Sequence, residues 1–201
     1  GSTVAVRGCS WVPRILAYQV IGEQTEGWQK PVVTAVAMAA MDTAVIKPID
    51  VMRMAMTTAT TEHPFIFRNV FKASILYKDF LAVGSVNVFT WGMYLGADAL
   101  LRENMKTYYE TDSLSLPQLI AVGSGTTVIS GVSCGPVRLV TTALQMPRVT
   151  YSGFLEGARH TWKHLGWRGY LNYCKLASVA YLPGNIAAAI IFNWLDGLED
   201  E

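Results

Sequence analysis

The chain has little charge and few cysteines. Of its 201 residues, 15% are charged and 51% are apolar, whereas an ordinary soluble domain has roughly 25% charged residues. This balance favours a membrane protein over a soluble one. Cys9, Cys134 and Cys174 are odd in number and widely spaced. We therefore expect buried free thiols and expect neither a disulfide framework nor a metal site.

The chain also lacks the patterns of common enzymes and of nucleic-acid-binding proteins. It has no nucleophile-base-acid set, no glycine-rich phosphate loop and no basic stretch of the kind that binds nucleic acid. Such patterns supply the groups for covalent catalysis, nucleotide binding and phosphate contacts. The sequence therefore predicts no enzymatic activity, no cofactor and no nucleic-acid partner.

No segment is a charge-free block of twenty apolar residues, but four segments are long enough to cross a membrane. A helix rises about 1.5 Å per residue, so a hydrocarbon core of about 30 Å takes roughly 20 residues. Because charged residues interrupt each segment, we expect an all-α membrane protein whose helices share a polar interior. The predicted spans are 31–58, 74–101, 116–145 and 173–195.

A short pattern ends two of these apolar segments. Pro48-Ile49-Asp50-Val51-Met52-Arg53 ends the first, and Pro136-Val137-Arg138-Leu139-Val140-Thr141 ends the third, 136 − 48 = 88 residues later. Repetition on this scale indicates one supersecondary unit used twice. Small residues four apart precede both prolines and would let membrane helices approach closely. These residues are Ala35 and Ala39 in the first copy, and Gly123, Thr127, Gly131 and Gly135 in the second.

The repeated unit resembles the repeat of the mitochondrial carrier family. In that family each odd-numbered membrane helix ends in P-x-[DE]-x-x-[KR], where the proline kinks the helix and the charges pair with those of neighbouring repeats. Pro48, Asp50 and Arg53 match this pattern in full. The resemblance implies an inner mitochondrial membrane protein of two carrier-like repeats with short matrix-side helices. It divides the chain into a peripheral arm (1–30), a first repeat (31–110) and a second repeat with an acidic tail (111–201).

The second copy keeps the frame of the motif and loses its charge pair. Pro136 holds the proline position, and Gln145 stands where the family often has a glutamine. Arg138 occupies the acid position and Thr141 the base position, so the carboxylate-ammonium pairing of the family cannot form there.

The resemblance further implies bound cardiolipin. Tyr151-Ser152-Gly153 is similar to the start of the family's short matrix helix, and Trp167-Arg168-Gly169 to its aromatic-basic-Gly signature. Tyr77-Lys78-Asp79 is a weakened copy of that signature in the first repeat. In the family, helix N-termini at these motifs hold cardiolipin phosphates, because unpaired amides and the helix dipole attract anions.

Two registers remain open around Trp167. Pro183 is the family's even-helix proline if Tyr173 takes the glycine position of the signature, and Phe89 is then its counterpart, 183 − 89 = 94 residues earlier. The other register, in which Trp167-Arg168-Gly169 is the signature, leaves one extra helical turn before Pro183. With the first register, the family's substrate positions are Ala180 and Val86, which offer a charged solute no partner.

Two further sets of residues carry alternative interpretations. Glu156, His160 and His164 would share one helix face, where we expect an exposed polar surface, because a zinc site needs three or four protein ligands. Asp42 and Asp98 lie deep in apolar segments and are candidate functional residues. Alternatively, each carboxylate pairs with Lys47, Arg53 or a hydroxyl of a neighbouring helix.

Two functions are compatible with the sequence. The first is a carrier-derived structural subunit that no longer transports and packs against other subunits of a respiratory-chain complex or ATP synthase. The lost charge pair, the apolar substrate positions and the presence of two repeats where the family has three favour it. The second is a solute carrier, either shortened or completed by a partner chain. A four-helix subunit of a protein-import channel would share the size but does not explain the Pro48 motif.

Overall fold

A computed structural model of the chain describes Tyr18, Val20, Ile21, 29–57, 72–77, 80–145, 151 and 153–199. Over these residues the protein is helical and contains no strand. Four of its helices are long and apolar enough to cross a membrane. The predicted all-α class and the predicted number of membrane-length helices are therefore confirmed, as in a multi-pass membrane protein.

Three consecutive segments form the first long helix. They are α1 (Gln29–Met41), a π-helical segment (Asp42–Ile46) and α2 (Lys47–Thr57). The π-helical segment lies just before Pro48 and closes with a bond from the Lys47 N–H to the Asp42 carbonyl. Pro48 has no N–H to donate, so the carbonyl of Ala44, four residues earlier, loses its usual helical partner. A π-bulge at this place adapts the backbone to the proline without ending the helix.

A short helix, α3 (Ala73–Leu76), precedes the second long helix, α4 (Phe80–Tyr109). The predicted span began at residue 74 and ended at 101, so the structure starts the long helix later and extends it to Tyr109. The extension is polar, so a search for apolar segments does not find this end of the helix. Arg102 and Asn104 hold it together by side-chain bonds one turn back, from Arg102 to Asp98 and from Asn104 to the Leu100 carbonyl.

The third long helix, α5 (Leu116–Gln145), has the predicted bounds. Its start follows a capping box, in which the Gln118 Oε1 atom accepts bonds from the backbone N–H and the hydroxyl of Ser115. Such a cap supplies partners to groups that the first helical turn leaves unpaired. Pro136 lies inside α5 and does not end it.

The fourth long helix, α6 (Phe154–Glu199), begins well before the predicted residue 173 and contains a break at Gly166. The backbone of Gly166 has φ 54° and ψ −164°, a conformation that side chains strongly disfavour and glycine tolerates. The break separates a short amphipathic part (154–165) from a longer part (167–199). The predicted span lies within the longer part.

Neighbouring helices along the chain pack against each other, α1 on α4, α4 on α5, and α5 on α6. We call 29–109 the first half and 116–199 the second half. Ala188 of α6 also joins a buried cluster of α1 and α4, so the two halves share a core. Tyr18, from the predicted peripheral arm, packs against the same cluster. The buried cluster consists of Ala35, Met38, Ala39, Trp91, Tyr94, Leu95 and Ala188.

Within the second half, small residues bring α5 and α6 close together. A Cβ placed on Gly123 would lie 2.9 Å from the Cα of Ile186, and one on Gly135 would lie 2.8 Å from the sulfur of Cys174. Real Cβ atoms do not approach backbone as closely as at Gly123, so that position requires glycine, whereas a Cβ at position 135 would have to displace the Cys174 side chain. The small-residue spacing on α5 therefore marks a close helix contact, as the sequence predicted.

Candidate functional site: a polar cavity between the long helices

A cavity of about 230 Å³ lies between the four long helices. Residues from the π-helical segment, α2, α4, α5 and α6 contribute to its wall, so all four long helices take part in it. Much of the wall is polar. Its charged residues are Asp42, Lys47, Asp50 and Arg138, and its uncharged polar residues are Asn87, Thr90, Trp91, Tyr94, Thr127, Ser130, Thr141, Thr142, Tyr173, Ser178, Tyr181 and Asn185.

The two acids of the wall lie near its lysine, on the first long helix. Asp42 accepts a hydrogen bond from the indole N–H of Trp91 on α4, at 2.8 Å. Lys47 is buried, with 3% of its surface exposed. Asp42 therefore has a partner across the helix contact, the Trp91 indole, which the sequence did not suggest beside lysine, arginine or a hydroxyl.

Arg138 of α5 is the charged wall residue of the second half. Its guanidinium carbon lies 5.3 Å from the centre of the Tyr181 ring, a distance at which a cation is attracted to an aromatic face. Over the described residues, no carboxylate lies within the 4.0 Å of an ion pair with Arg138. Thr141 donates within its own helix, to the carbonyls of Val137 and Arg138. Neither residue thus bonds to a charge on another described helix.

Two asparagine-threonine bonds cross the helix contacts beside the cavity. In the first half, the Asn87 amide donates to the Thr43 hydroxyl oxygen at 2.9 Å. In the second half, the Asn185 amide donates to the Thr127 hydroxyl oxygen, also at 2.9 Å. Each bond joins the two long helices of one half.

Both prolines leave a backbone carbonyl that a tyrosine then satisfies. Pro48 removes the helical donor of the Ala44 carbonyl, which accepts a bond from the Tyr77 hydroxyl at 3.0 Å. Pro136 removes the helical donor of the Val132 carbonyl in the same way, and that carbonyl accepts from the Tyr170 hydroxyl at 2.6 Å. An unpaired carbonyl among apolar groups is costly, so each tyrosine replaces the helical donor that its proline removes.

Some wall residues of the two halves also correspond in sequence position. On the odd-numbered long helices they lie 88 residues apart, like Pro48 and Pro136. On the even-numbered long helices they lie 94 residues apart, like Phe89 and Pro183. The pairs at the first spacing are Asp42 and Ser130, Lys47 and Gly135, and Asp50 and Arg138. Those at the second are Val83 and Ala177, Asn87 and Tyr181, and Trp91 and Asn185.

Two buried hydroxyls of the wall have no protein partner within the described residues. Thr90 is 3% exposed and Tyr94 is 5% exposed, and neither hydroxyl oxygen has a hydrogen-bond partner among them. Buried hydroxyls in native proteins are bonded to protein or to ordered water. Both hydroxyl oxygens are enclosed by protein and have almost no accessible surface, and the Thr90 hydroxyl lies beside the Cys134 thiol.

A charged network ties the halves together at the end of α4. The Arg102 guanidinium donates to Asp98 at 2.6 Å, to the Ala189 carbonyl at 2.6 Å and to the Asn193 side-chain oxygen at 3.1 Å. The latter two acceptors lie on α6. Asp98 therefore pairs with a residue beyond the predicted span, four positions along the same helix, a spacing that brings side chains together.

The residues predicted to bind cardiolipin lie at helix starts. Gly153 immediately precedes α6, and Trp167, Arg168 and Gly169 begin the longer part of α6 after the break. Tyr77 contacts the Ala44 carbonyl and Tyr151 contacts the His160 ring. Lys78 and Ser152 lie outside the described residues, as do the side chains of Arg53 and Gln145.

The histidine face is exposed. His160 and His164 stack with ring centres 4.2 Å apart, and the Tyr151 hydroxyl lies 2.9 Å from the His160 Nδ1 atom. Within the described part of the chain, no group of three or more His, Cys, Asp or Glu side chains is placed to hold a metal ion. Glu156, His160 and His164 are all exposed, as the sequence predicted.

The substrate positions inferred from the resemblance lie off the cavity. Ala180 and Val86 are not wall residues, and Ala180 is exposed. The residues one position further, Tyr181 and Asn87, contribute to the wall. Sequence reasoning missed both, although asparagine within an apolar segment is itself a signal of an interior position.

No protein-family model matches the chain, and no curated protein matches it in sequence. Its function is inferred below from the geometry of the cavity and of the two halves.

Proposed function

We propose that the protein is a mitochondrial-carrier-like protein of the inner mitochondrial membrane. Its role is structural. As a non-transporting subunit it packs against other subunits of a large assembly, such as a respiratory-chain complex or ATP synthase. Its two carrier-like repeats occupy 31–110 and 111–201, after a peripheral arm at 1–30.

The correspondence between the halves supports two repeats. In the first half, Pro48 removes the helical donor of the Ala44 carbonyl, and the Tyr77 hydroxyl donates to it. In the second half, Pro136, the Val132 carbonyl and the Tyr170 hydroxyl repeat this arrangement. The wall pairs at two constant spacings fall on corresponding helices. Unrelated helix pairs would have no reason to keep both features together.

The surroundings of Arg138 carry the proposal that transport has been lost. In the carrier family, the charges after each odd-helix proline pair between repeats. Here the second copy has an arginine over the Tyr181 ring and a threonine that donates within its own helix. A charge pair between the halves at this position would need an acid where Arg138 stands.

Bound cardiolipin belongs to the same proposal. Gly153 and the residues after Gly166 stand at helix starts, where amide N–H groups and the helix dipole favour a phosphate. We expect native mass spectrometry of the protein, purified in mild detergent, to retain cardiolipin. Its complete absence, in preparations where other inner-membrane proteins keep theirs, would contradict the lipid sites.

The structural role is tested by purifying the tagged protein from mitochondria in mild detergent. We expect it to migrate with a large inner-membrane complex, and we expect Arg102→Leu, which breaks the link between the halves, to reduce this association. Arg159→Gln, at an exposed position without an assigned role, serves as the matched control. A protein that migrates alone at its own size would contradict the structural role.

A working solute carrier is the second candidate function, and the cavity favours it. A polar space walled by both halves is the arrangement that solute binding needs. Reconstitution of the chain in cardiolipin-containing liposomes separates the two functions. Saturable uptake of nucleotides, phosphate, carboxylates or amino acids that Asp50→Asn abolishes would establish transport. No uptake by the folded protein is expected if its role is structural.

A further inference from the structure

We infer that one face of α6 docks a membrane-spanning helix of another subunit, and that this helix carries an aspartate or a glutamate opposite Lys175. The inference rests on the proposed structural role and names the chemistry of the partner. We call Asn172, Lys175, Leu176 and Val179 the outer face of α6. Their side chains leave the helix within an arc of about 100°, and all four are exposed.

The chain itself covers little of α6. In the apolar stretch of α6, 22% of the residues are buried within the chain, against 39% in each of the other three long helices. Leu176 and Val179 are 72% and 74% exposed. The opposite side of α6, which includes the buried Cys174, packs on α5. The outer face is therefore open to the bilayer or to another protein.

Lys175 lies deep in the membrane. α5 and α6 are antiparallel and keep one register, in which Gly123 lies beside Ile186 and Gly131 beside Ser178. Gly131 is within one residue of the middle of α5, so Ser178 is level with the middle of the span. Lys175 is three residues, about 4.5 Å, from that level. The hydrocarbon core extends about 15 Å to each side of its middle, so the backbone of Lys175 lies well inside it.

The outer face is polar where a lipid-facing surface would be apolar. Asn172 and Lys175 have no hydrogen bond or ion pair with any residue that the structure describes. A charge in the hydrocarbon is costly unless an opposite charge compensates it. In the first half, the corresponding position is Leu81, 175 − 81 = 94 residues earlier, and its apolar side chain is 81% exposed. The first half thus presents an ordinary lipid-facing residue where the second presents a cation.

Asn172 favours a protein over a lipid as the occupant of the outer face. A lysine is long enough to extend its ammonium towards the lipid headgroups, whereas the amide of an asparagine stays close to its helix. Asn172 lies one turn before Lys175 and about 9 Å from the middle of the span. Lipid chains offer its amide no hydrogen bond there, and an unsatisfied polar group in hydrocarbon is costly. A neighbouring helix supplies such a bond.

Charge complementarity gives the chemistry of that helix. A buried lysine needs a carboxylate at its own depth. The described acids near this depth are Asp42, which lines the cavity and accepts a bond from Trp91, and Asp98, which pairs with Arg102. Neither is exposed, so a second copy of the chain would present no described acid to Lys175. The occupant is therefore a helix of a different subunit, with an acid near the middle of the membrane.

The test uses the full tagged chain in mitochondria, with a photo-crosslinking amino acid at position 179, one turn from Lys175 on the outer face. The matched control carries the same amino acid at position 81, the lipid-facing site on α4. Crosslinked peptides are sequenced by mass spectrometry. We expect position 179 to join one protein through a membrane-spanning segment that contains an aspartate or a glutamate. Position 81 should give lipid adducts.

Substitutions at the outer face then test the charge. Lys175→Gln should lower the yield of the crosslink at least tenfold, because it leaves the carboxylate of the partner without its cation. Lys175→Arg should retain the crosslink, and Asn172→Ala should reduce it by a smaller factor. Each variant should melt in detergent as the unsubstituted chain does, because Asn172 and Lys175 bond to no described residue of their own chain. Lys175→Glu, combined with a lysine in place of the partner's acid, should restore the crosslink.

The results distinguish a failure of this inference from a failure of the structural role. If the protein migrates with a large complex, the inference is overturned by lipid adducts alone at position 179, by a crosslink to a second copy or by a partner segment without an acid. Equal yields for Lys175→Gln and the unsubstituted chain would overturn it as well. A protein that migrates alone would contradict the structural role itself, and the docking face with it.

Discussion

The two halves of the molecule share their polar contacts and differ in how their helices pack. Each half has a tyrosine hydroxyl on a proline-freed carbonyl and an asparagine amide on a threonine hydroxyl. In the second half α5 and α6 touch through Gly123 and Gly135. In the first half the corresponding contact contains larger side chains, Met38 and Trp91 among them. The two halves thus share these types of polar contact, although the asparagine bond of the second half lies one helical turn away from the position that corresponds to the first.

The halves also differ in charge. The first half contributes Asp42, Lys47 and Asp50 to the cavity wall, whereas the second has serine, glycine and Arg138 at the corresponding positions. A closed set of reciprocal ion pairs needs acids and bases on both sides. The cavity is therefore asymmetric in charge although its walls correspond in position.

The largest effect is expected where the halves join. Arg102→Leu removes the donors to Asp98, to the Ala189 carbonyl and to Asn193, and leaves the Asp98 carboxylate, a side chain 9% exposed, without its arginine. Breaking a buried ion pair from one side costs about 3–5 kcal/mol. We expect a loss of this size in the free energy of unfolding, measured by denaturation in detergent.

The double variant Asp98→Asn with Arg102→Leu gives the control, because it removes the uncompensated charge as well. We expect it to recover part of the lost stability. If the single and the double variant unfold alike, the network does not contribute through its charge.

A smaller effect distinguishes the packing of the two halves. Gly123→Ala would place a Cβ 2.9 Å from the backbone of Ile186, whereas Gly84→Ala would place one 3.8 Å from the Thr43 side chain, an ordinary contact. Overpacking of this kind costs about 1–3 kcal/mol. We expect Gly123→Ala to lower the melting temperature and Gly84→Ala to leave it unchanged or raise it, because alanine favours helix. Equal melting temperatures would mean that the close contact of α5 and α6 is absent.

The parts of the fold that follow from local patterns could be predicted from the sequence. The bounds of α5 are the predicted ones, since its capping residues and its apolar run both lie in one continuous segment. The end of α4 could not be found in this way, because Arg102 is tolerated there only through acceptors on α6. The early start of α6 depends likewise on Gly166, whose backbone conformation a sequence does not reveal.

The wall of the cavity was harder to predict than the fold. Successive side chains on a helix point about 100° apart, since 3.6 residues make one turn. A prediction that is wrong by one residue therefore selects a side chain that points away from the cavity. This happened at Ala180 and Val86, whose neighbours Tyr181 and Asn87 are the wall residues. Arg138 was recognised as a departure from the motif, but its contact with Tyr181 depends on how the helices pack, which the sequence alone does not give.

The hydrogen bonds of Tyr77 and Tyr170 should contribute unequally to the free energy of unfolding. Tyr170 is buried and donates at 2.6 Å, whereas Tyr77 is 41% exposed and donates at 3.0 Å. A buried carbonyl without a donor costs about 1–3 kcal/mol, but an exposed one can bond to water. We expect Tyr170→Phe to lower the free energy of unfolding by about 1–2 kcal/mol and Tyr77→Phe to have little effect.

Tyr108→Phe is the control for these two variants, because Tyr108 is 79% exposed. It should unfold as the unsubstituted chain does. A larger loss for Tyr77→Phe than for Tyr170→Phe would show that burial does not decide the strength of these bonds.

The smallest effect concerns the two asparagine bonds, which have the same length and the same chemistry in both halves. Double-mutant cycles with Asn87→Ala and Thr43→Ala, and with Asn185→Ala and Thr127→Ala, isolate each bond from the packing around it. Such bonds between membrane helices average about 0.6 kcal/mol, so we expect coupling energies of about that size and equal within error. Coupling in one half alone would contradict this, since bonds of the same length and chemistry between membrane helices should contribute about equally. Equal coupling together with unequal effects of the two glycine substitutions would show that the halves have equally strong asparagine bonds and differ in their packing.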